Sequence, residues 1–293
     1  DFETKEYRDD IVAESYQKLD AGIVQFINQY NFTQFVMAIK GAGFVSSKQL
    51  NSQMTLDFAY TLYLMLRSDP TIPNEQIKRH VQKWFVLSTL TSRYIGSPET
   101  QMDRDMRNIE EKGFLNFKTE VEASTLSETF WTVTLPQNLE TSSVNSPAFN
   151  TFLAAQINLN CNSLLMKGTK ISDLITISGD VHHIFPRNYL KKNGIDNKTK
   201  YNQVANYIYL DTQVNKAIGD DPPFAYFSKV REQCRTKAIT LGNISDEETL
   251  YCNLEENSIP HHIISMDITD YESFLQERRK LMAKLMQRYY LEL

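Results

Sequence analysis

From Asp10 onward, the apolar residues Val12, Tyr16, Leu19, Ile23, Phe26, Ile27 and Tyr30 recur at steps of three and four, the stripe that one face of an amphipathic helix requires. This spacing continues through roughly the first 110 residues, so the N-terminal part must be built from helices packed by their apolar faces rather than from sheet. Asn31-Phe32-Thr33 offers a break and a new cap. Thr55–Leu66 is apolar nearly all round, which predicts a buried central helix; Ser68-Asp69-Pro70 stops it and Pro73-Asn74-Glu75 starts the next. That next helix carries Ile77, Val81, Trp84, Phe85, Ser88 and Thr91 down one side. The charged stretch to Arg107, with Arg93-Tyr94 and Asp103-Arg104-Asp105, reads as a helix–turn–helix junction with exposed ion pairs. The polar Pro136–Pro147 stretch is a candidate surface loop or inter-domain linker. The expected organisation is a helical domain over 1–150 and a second domain over 151–293. The second domain ends in a long helix, Tyr271–Tyr290, with Arg278, Arg279 and Lys280 on its solvated face.

The pattern changes after Ile171. Ile171, Leu174, Ile175 and Ile177 lead into Val181 and Ile184-Phe185-Pro186, which suggests a strand that carries His182 and His183 and ends at the proline. A polar loop, Lys191–Gln203, follows, and Ala205–Leu210 reads as a second strand. Asp211 then caps a short helix, Thr212–Ala217, that stops near Gly219. Strand, loop, strand and helix, with Asn206 and Asn215 nine residues apart behind a histidine pair, is the order and spacing of an HNH nuclease. The fold class expected is therefore mainly α with an embedded ββα-metal (HNH) nuclease motif.

The residue types suit phosphodiester hydrolysis, which needs a base for water, a cation for the charge on phosphorus, and stabilisation of the departing oxygen. A neutral histidine serves as base near pH 7. Neighbouring residues on a strand point to opposite faces, so one histidine would face a metal and the other the attacking water. On this basis His183 is the general base, His182 and Asn215 hold the metal, and Asn206 fixes the ring of the base. Asp180 is a further ligand or a partner behind the ligands, and Arg187 and Lys216 are phosphate clamps. His80 on a helix, and the pair His261-His262 after Pro260, read as packed or surface histidines.

The net charge is −5, so the chain does not coat nucleic acid by bulk electrostatics, and phosphate binding would need a local patch. Arg187, Lys191, Lys192, Lys198, Lys200 and Lys216, against Asp196 and Asp211, form such a patch around the histidines. The three cysteines, Cys161, Cys234 and Cys252, are odd in number and lack a C-x-x-C pair, which argues for a reducing compartment. No apolar run is long enough for a membrane span and no signal-peptide pattern is present, so a cytoplasmic location is expected.

His182-His183-Ile184-Phe185-Pro186, with Ala205-Asn206 and Asn215-Lys216 followed by Ile218-Gly219-Asp220, resembles the C-terminal HNH nuclease domain of GmrSD-like modification-dependent restriction proteins. The Asp180–Ile184 segment and the Asn206–Asn215 spacing also resemble the HNH domain of RNA-guided DNA-cleaving effectors, in which an aspartate stands at the position of His182. Lys83-Trp84-Phe85, Ser92-Arg93-Tyr94 and Gly96-Ser97-Pro98-Glu99 look like the helical middle of the restriction proteins, and Asp270-Tyr271 with Phe274 and Arg278-Arg279 looks like their ending. The resemblance implies a DNA endonuclease of anti-phage defence that uses a divalent metal ion, Mg²⁺ or Mn²⁺ first and Zn²⁺ or Ni²⁺ next. Its partner would be phage DNA or DNA with modified bases. Full-length members carry an N-terminal ParB-like domain with an Asp-Gly-Gln-Gln-Arg motif, which does not occur here, so the chain is expected to be the helical and nuclease portion of a longer protein. Homo-oligomerisation is left open. So are two other functions: a catalytically inactive HNH scaffold that serves interaction or regulation, and a nuclease acting on RNA or branched DNA.

Overall fold

The computed structural model describes residues 5–177 and 181–293, and over them the chain is mainly helical. In order run α1 (Asp9–Phe26), α2 (Gln29–Gly41), α3 (Gln53–Ser68), α4 (Asn74–Leu90), α5 (Pro98–Lys112), α6 (Phe114–Thr125), α7 (Leu135–Asn138), α8 (Pro147–Asn158) and α9 (Ile171–Ile177). Then follow β1 (Val181–His183), α10 (Arg187–Lys192), α11 (Lys198–Tyr201), β2 (Tyr207–Tyr209), α12 (Thr212–Ile218), α13 (Pro223–Thr236), α14 (Glu247–Glu256) and α15 (Tyr271–Glu292). Among the described residues, no helix is long and apolar enough to cross a membrane.

The punctuation read from the sequence holds where capping is local. Helix α3 stops at Ser68 and α4 begins at Asn74, and their apolar faces (Phe58, Leu62 and Leu66; Ile77, Val81, Trp84 and Phe85) are buried. The first break falls earlier than expected, because Asn28 rather than Asn31 is the cap: its side chain accepts from the Asn31 N–H at 3.1 Å. The stripe of α1 lies on the surface, with Tyr16, Leu19 and Ile23 all exposed. One continuous apolar core joins Trp84, Phe149, Phe185, Phe274 and Met282. Position 150 falls inside α8, and α8 packs against both α4 and α15.

Between Trp84 and Arg107 one ion pair is exposed, Asp103 with Arg107 at 2.9 Å, but the main one is not. Arg93 Nε and Nη2 each donate to Asp105 at 2.6 Å, and Asp105 is fully buried. Tyr94 Oη and Gln101 Nε2 each donate to the same carboxylate at 2.8 Å, and Trp84 Nε1 donates to Tyr94 Oη at 3.0 Å. A carboxylate leaves water only when its lone pairs are taken up in this way.

The second half departs from expectation in two places. Ile171, Leu174 and Ile175 belong to a helix, α9, and not to the approach of a strand; their spacing of three and four already fits one helical face. Strand β1 is confined to Val181–His183 and pairs antiparallel with β2, His182 opposite Ile208 and His183 opposite Tyr207. Helix α12 forms as expected: Asp211 Oδ1 accepts from Gln213 N–H at 2.8 Å and Val214 N–H at 3.3 Å, and Gly219 closes it at φ +57°.

The other departure is α15. Of the three cations expected on its solvated face only Lys280 is exposed. Arg278 is fully buried, and its Nη1 donates to the carbonyls of Ala205 (2.9 Å) and Tyr207 (2.7 Å) while Nη2 donates to that of Asn257 (3.3 Å). Arg279 Nη2 donates to Gln203 Oε1 at 2.9 Å and its Nη1 lies 3.5 Å from Glu140. Tyr271 Oη donates to the Lys200 carbonyl at 3.0 Å and its ring packs on Phe185. Burial pushes the Arg278 guanidinium down to about 9, which leaves it cationic at neutral pH. Carbonyl dipoles converging on it replace the water it has lost.

Arg278→Met should lower the unfolding free energy by about 3 kcal/mol, roughly 1 for each carbonyl left without its donor. Urea titration would read this as a lower midpoint at unchanged slope, and an unmoved midpoint would contradict the bracing role. His80 offers a second test. It packs edge-on to Phe114, and among the described residues neither ring nitrogen has a hydrogen-bond partner. Burial, then Lys118 and Arg79, hold it below its ordinary value of 6.5. The unfolded chain therefore takes the proton first, and stability falls as pH drops from 6.5 through the folded value. His80→Leu should raise the melting temperature and flatten that acid limb; an unchanged profile between pH 7 and pH 5 would refute it.

Candidate active site

A cleft of about 280 Å³ opens between β1, the start of α10 and the second half of α12. His182, His183, Arg187 and Asn215 all line it, together with Asn188 and Asp220. Both histidines reach the same cleft although strand neighbours ordinarily face opposite sides. The bend at Ile184–Phe185 follows His183 at once, so the cleft lies at the end of β1 and both residues border it. Asp180 lies outside the described residues. Lys216 is exposed and is not among the residues lining the cleft.

His183 is held on two sides. Its Nε2 lies 2.9 Å from Asn202 Oδ1, and its ring meets the Tyr207 ring nearly at right angles, centroids 5.3 Å apart, across the β1–β2 pair. Burial is the strongest influence on the ring and lowers its pKa from 6.5; the Asn202 bond raises it, and Arg187 and His182 lower it further. The direction is downward, toward a neutral imidazole at pH 7, the state a base requires.

Asn206 does not turn the ring of His183. It ends the short helical turn Val204–Asn206, which carries it inward until it is fully buried beneath the residues after the histidines. Its Oδ1 accepts from the Phe185 N–H at 2.8 Å, and its Nδ2 donates to the carbonyls of Phe185 at 3.1 Å and Tyr201 at 3.3 Å. Both ends of the carboxamide are thus spent on backbone, and Asn206 pins the bend that carries His182 and His183. The residue at the histidine, Asn202, lies four positions earlier at the end of the polar loop, where nothing in its spacing sets it apart from the neighbouring asparagines. Asp220, also missed, lines the cleft and pairs with Lys192 at 3.1 Å.

The donor set suits a divalent cation with open positions. His182 offers an imidazole nitrogen and Asn215 an amide oxygen at one cleft, a mixed set that Mn²⁺, Zn²⁺ or Ni²⁺ accepts more readily than Mg²⁺ does. Among the described residues, no group of three or more His, Cys, Asp and Glu side chains gathers as a metal cluster. Water and phosphate oxygens would have to complete the shell. The other histidine pair is exposed and engaged elsewhere, His261 with Glu255 at 3.2 Å and His262 with Glu277 at 3.1 Å. All three cysteines are free, Cys252 alone being exposed.

Comparison with protein-family models, with curated proteins and with solved structures found no match to this chain.

Asn206→Ala should cost about 2 kcal/mol of stability, since the Phe185 N–H and carbonyl both lose their partner inside the core. Chemical denaturation of the variant beside the wild type would measure it, and equal midpoints would show that the bend is held by something else.

Proposed function

We propose that this chain is a divalent-metal-dependent HNH endonuclease acting on DNA, the nuclease portion of a restriction-type anti-phage protein. The observation that carries this is the meeting of His182, His183, Asn215 and Arg187 in one cleft, formed where an antiparallel strand pair runs into a capped helix. Arg187 lines the cleft and Lys192 reaches Asp220 at its edge, and with Lys191, Lys198, Lys200 and Lys216 in the same stretch of sequence they favour a phosphate backbone as the ligand in a chain of net charge −5.

In the mechanism that follows, His182 and Asn215 would hold the cation. When bound, that ion neutralises charge on the scissile phosphate and stabilises the departing oxygen. His183 takes the proton from water as the water oxygen attacks phosphorus; the proton enters at Nδ1, because Nε2 faces Asn202. Arg187 at the mouth of the cleft neutralises a non-bridging phosphate oxygen. Asn206 keeps the bend rigid, so the two histidines do not drift apart. A second reading is an HNH scaffold that binds without cleaving: Asp220, the carboxylate among the described residues lining the cleft, is engaged by Lys192 at 3.1 Å.

Plasmid nicking in Mn²⁺ distinguishes them. His183→Ala should slow nicking by about 100-fold or more while the chain still unfolds cooperatively above the assay temperature, and chelation by EDTA should abolish the wild-type activity. Nicking by His183→Ala at the wild-type rate would sink the assignment of the base. A wild type inert under every divalent ion would leave the binding scaffold as the function.

A further inference from the structure

We propose that Asn202 is the positioning residue of the base: its side-chain oxygen accepts from His183 Nε2–H and so fixes the tautomer that leaves the Nδ1 lone pair toward the cleft. The catalytic consequence rests on the nuclease reading; the orientation itself rests on geometry alone. A neutral imidazole carries one proton, and whichever nitrogen holds it cannot act as base. An acceptor 2.9 Å from Nε2 selects the Nε2–H form by up to about tenfold. The Tyr207 ring, set edge-on against the imidazole, restrains its rotation.

Asn202 is itself built in. Its backbone N–H donates to the Lys198 carbonyl at 3.1 Å. On one side, the Tyr201 carbonyl accepts from Tyr271 Oη and Asn206 Nδ2, both at 3.3 Å. On the other, Gln203 is gripped by Arg279 at 2.9 Å and donates to the Thr199 carbonyl at 2.7 Å. The loop that presents the Asn202 oxygen is therefore fastened to α15 on both flanks. Asn206 cannot substitute for it, both ends of its carboxamide being taken by Phe185 and Tyr201.

The test is nitrogen NMR of the full chain labelled with ¹⁵N-histidine, stripped of metal with EDTA and held at pH 8, with the His183 signals assigned by their loss in His183→Gln. Wild type should show a protonated Nε2 and an unprotonated Nδ1. Asn202→Leu, and Asn202→Ala as a smaller change, should shift both signals toward a mixture of tautomers, and Asn202→Asp, which keeps an acceptor there, should restore them. In Mn²⁺, kcat for plasmid nicking should fall about tenfold in Asn202→Leu with KM within about two-fold, and should recover in Asn202→Asp. A wild-type ring protonated at Nδ1, or tautomer signals unmoved by Asn202→Leu and Asn202→Ala, would overturn the proposal. A wild type with the Nε2–H tautomer and no cleavage would support the orientation and overturn the nuclease reading instead.

Discussion

Arg278 reaches from α15 to the carbonyls of Ala205 and Tyr207, one residue to either side of Asn206, and Asn206 in turn holds both the N–H and the carbonyl of Phe185. Phe185 closes the bend that begins at the two histidines, and its ring packs on Tyr271 and Phe274 of the same helix. A buried cation is costly unless fixed dipoles replace its water, and here they are supplied by the segment that must be kept still. The cation therefore tolerates burial only while that segment keeps its shape. The histidines, the second strand and the C-terminal helix are coupled through one guanidinium and one carboxamide.

The cleft that results sets a half-buried imidazole, held toward its neutral form, beside a second imidazole, an amide oxygen and a guanidinium. In the proposed phosphodiester hydrolysis each group has one part, and both histidines border the cleft. The cleft opens where β1 gives way to the bend before Pro186, and the turn at Val204–Asn206 leads into its partner β2.

Local features were legible in the sequence and long-range ones were not. The cap at Asp211 and the stop at Gly219 act within a single helical turn, and α12 formed as those residues suggested. The segment from Ile171 was misread because a short apolar run serves a strand or a helix face equally well. Arg278 looks solvated from the helix pattern alone because the carbonyls of Tyr207 and Ala205 lie 71 and 73 residues earlier in the chain, a separation no periodicity reveals. The asparagine bonded to His183 is Asn202 rather than Asn206, because one turn of tight helix before β2 carries Asn206 inward. The stripe of α1 had the right period for helix but says nothing of which surface covers it, and Tyr16, Leu19 and Ile23 are exposed.

The most direct test of one-metal chemistry at this cleft is anomalous diffraction from crystals of the full chain soaked in Mn²⁺. A single strong peak between the His182 imidazole and Asn215 Oδ1, lost in Asn215→Ala, is the predicted result. An empty cleft under saturating Mn²⁺, or a peak only at a surface pair such as His261 and Glu255, would contradict it.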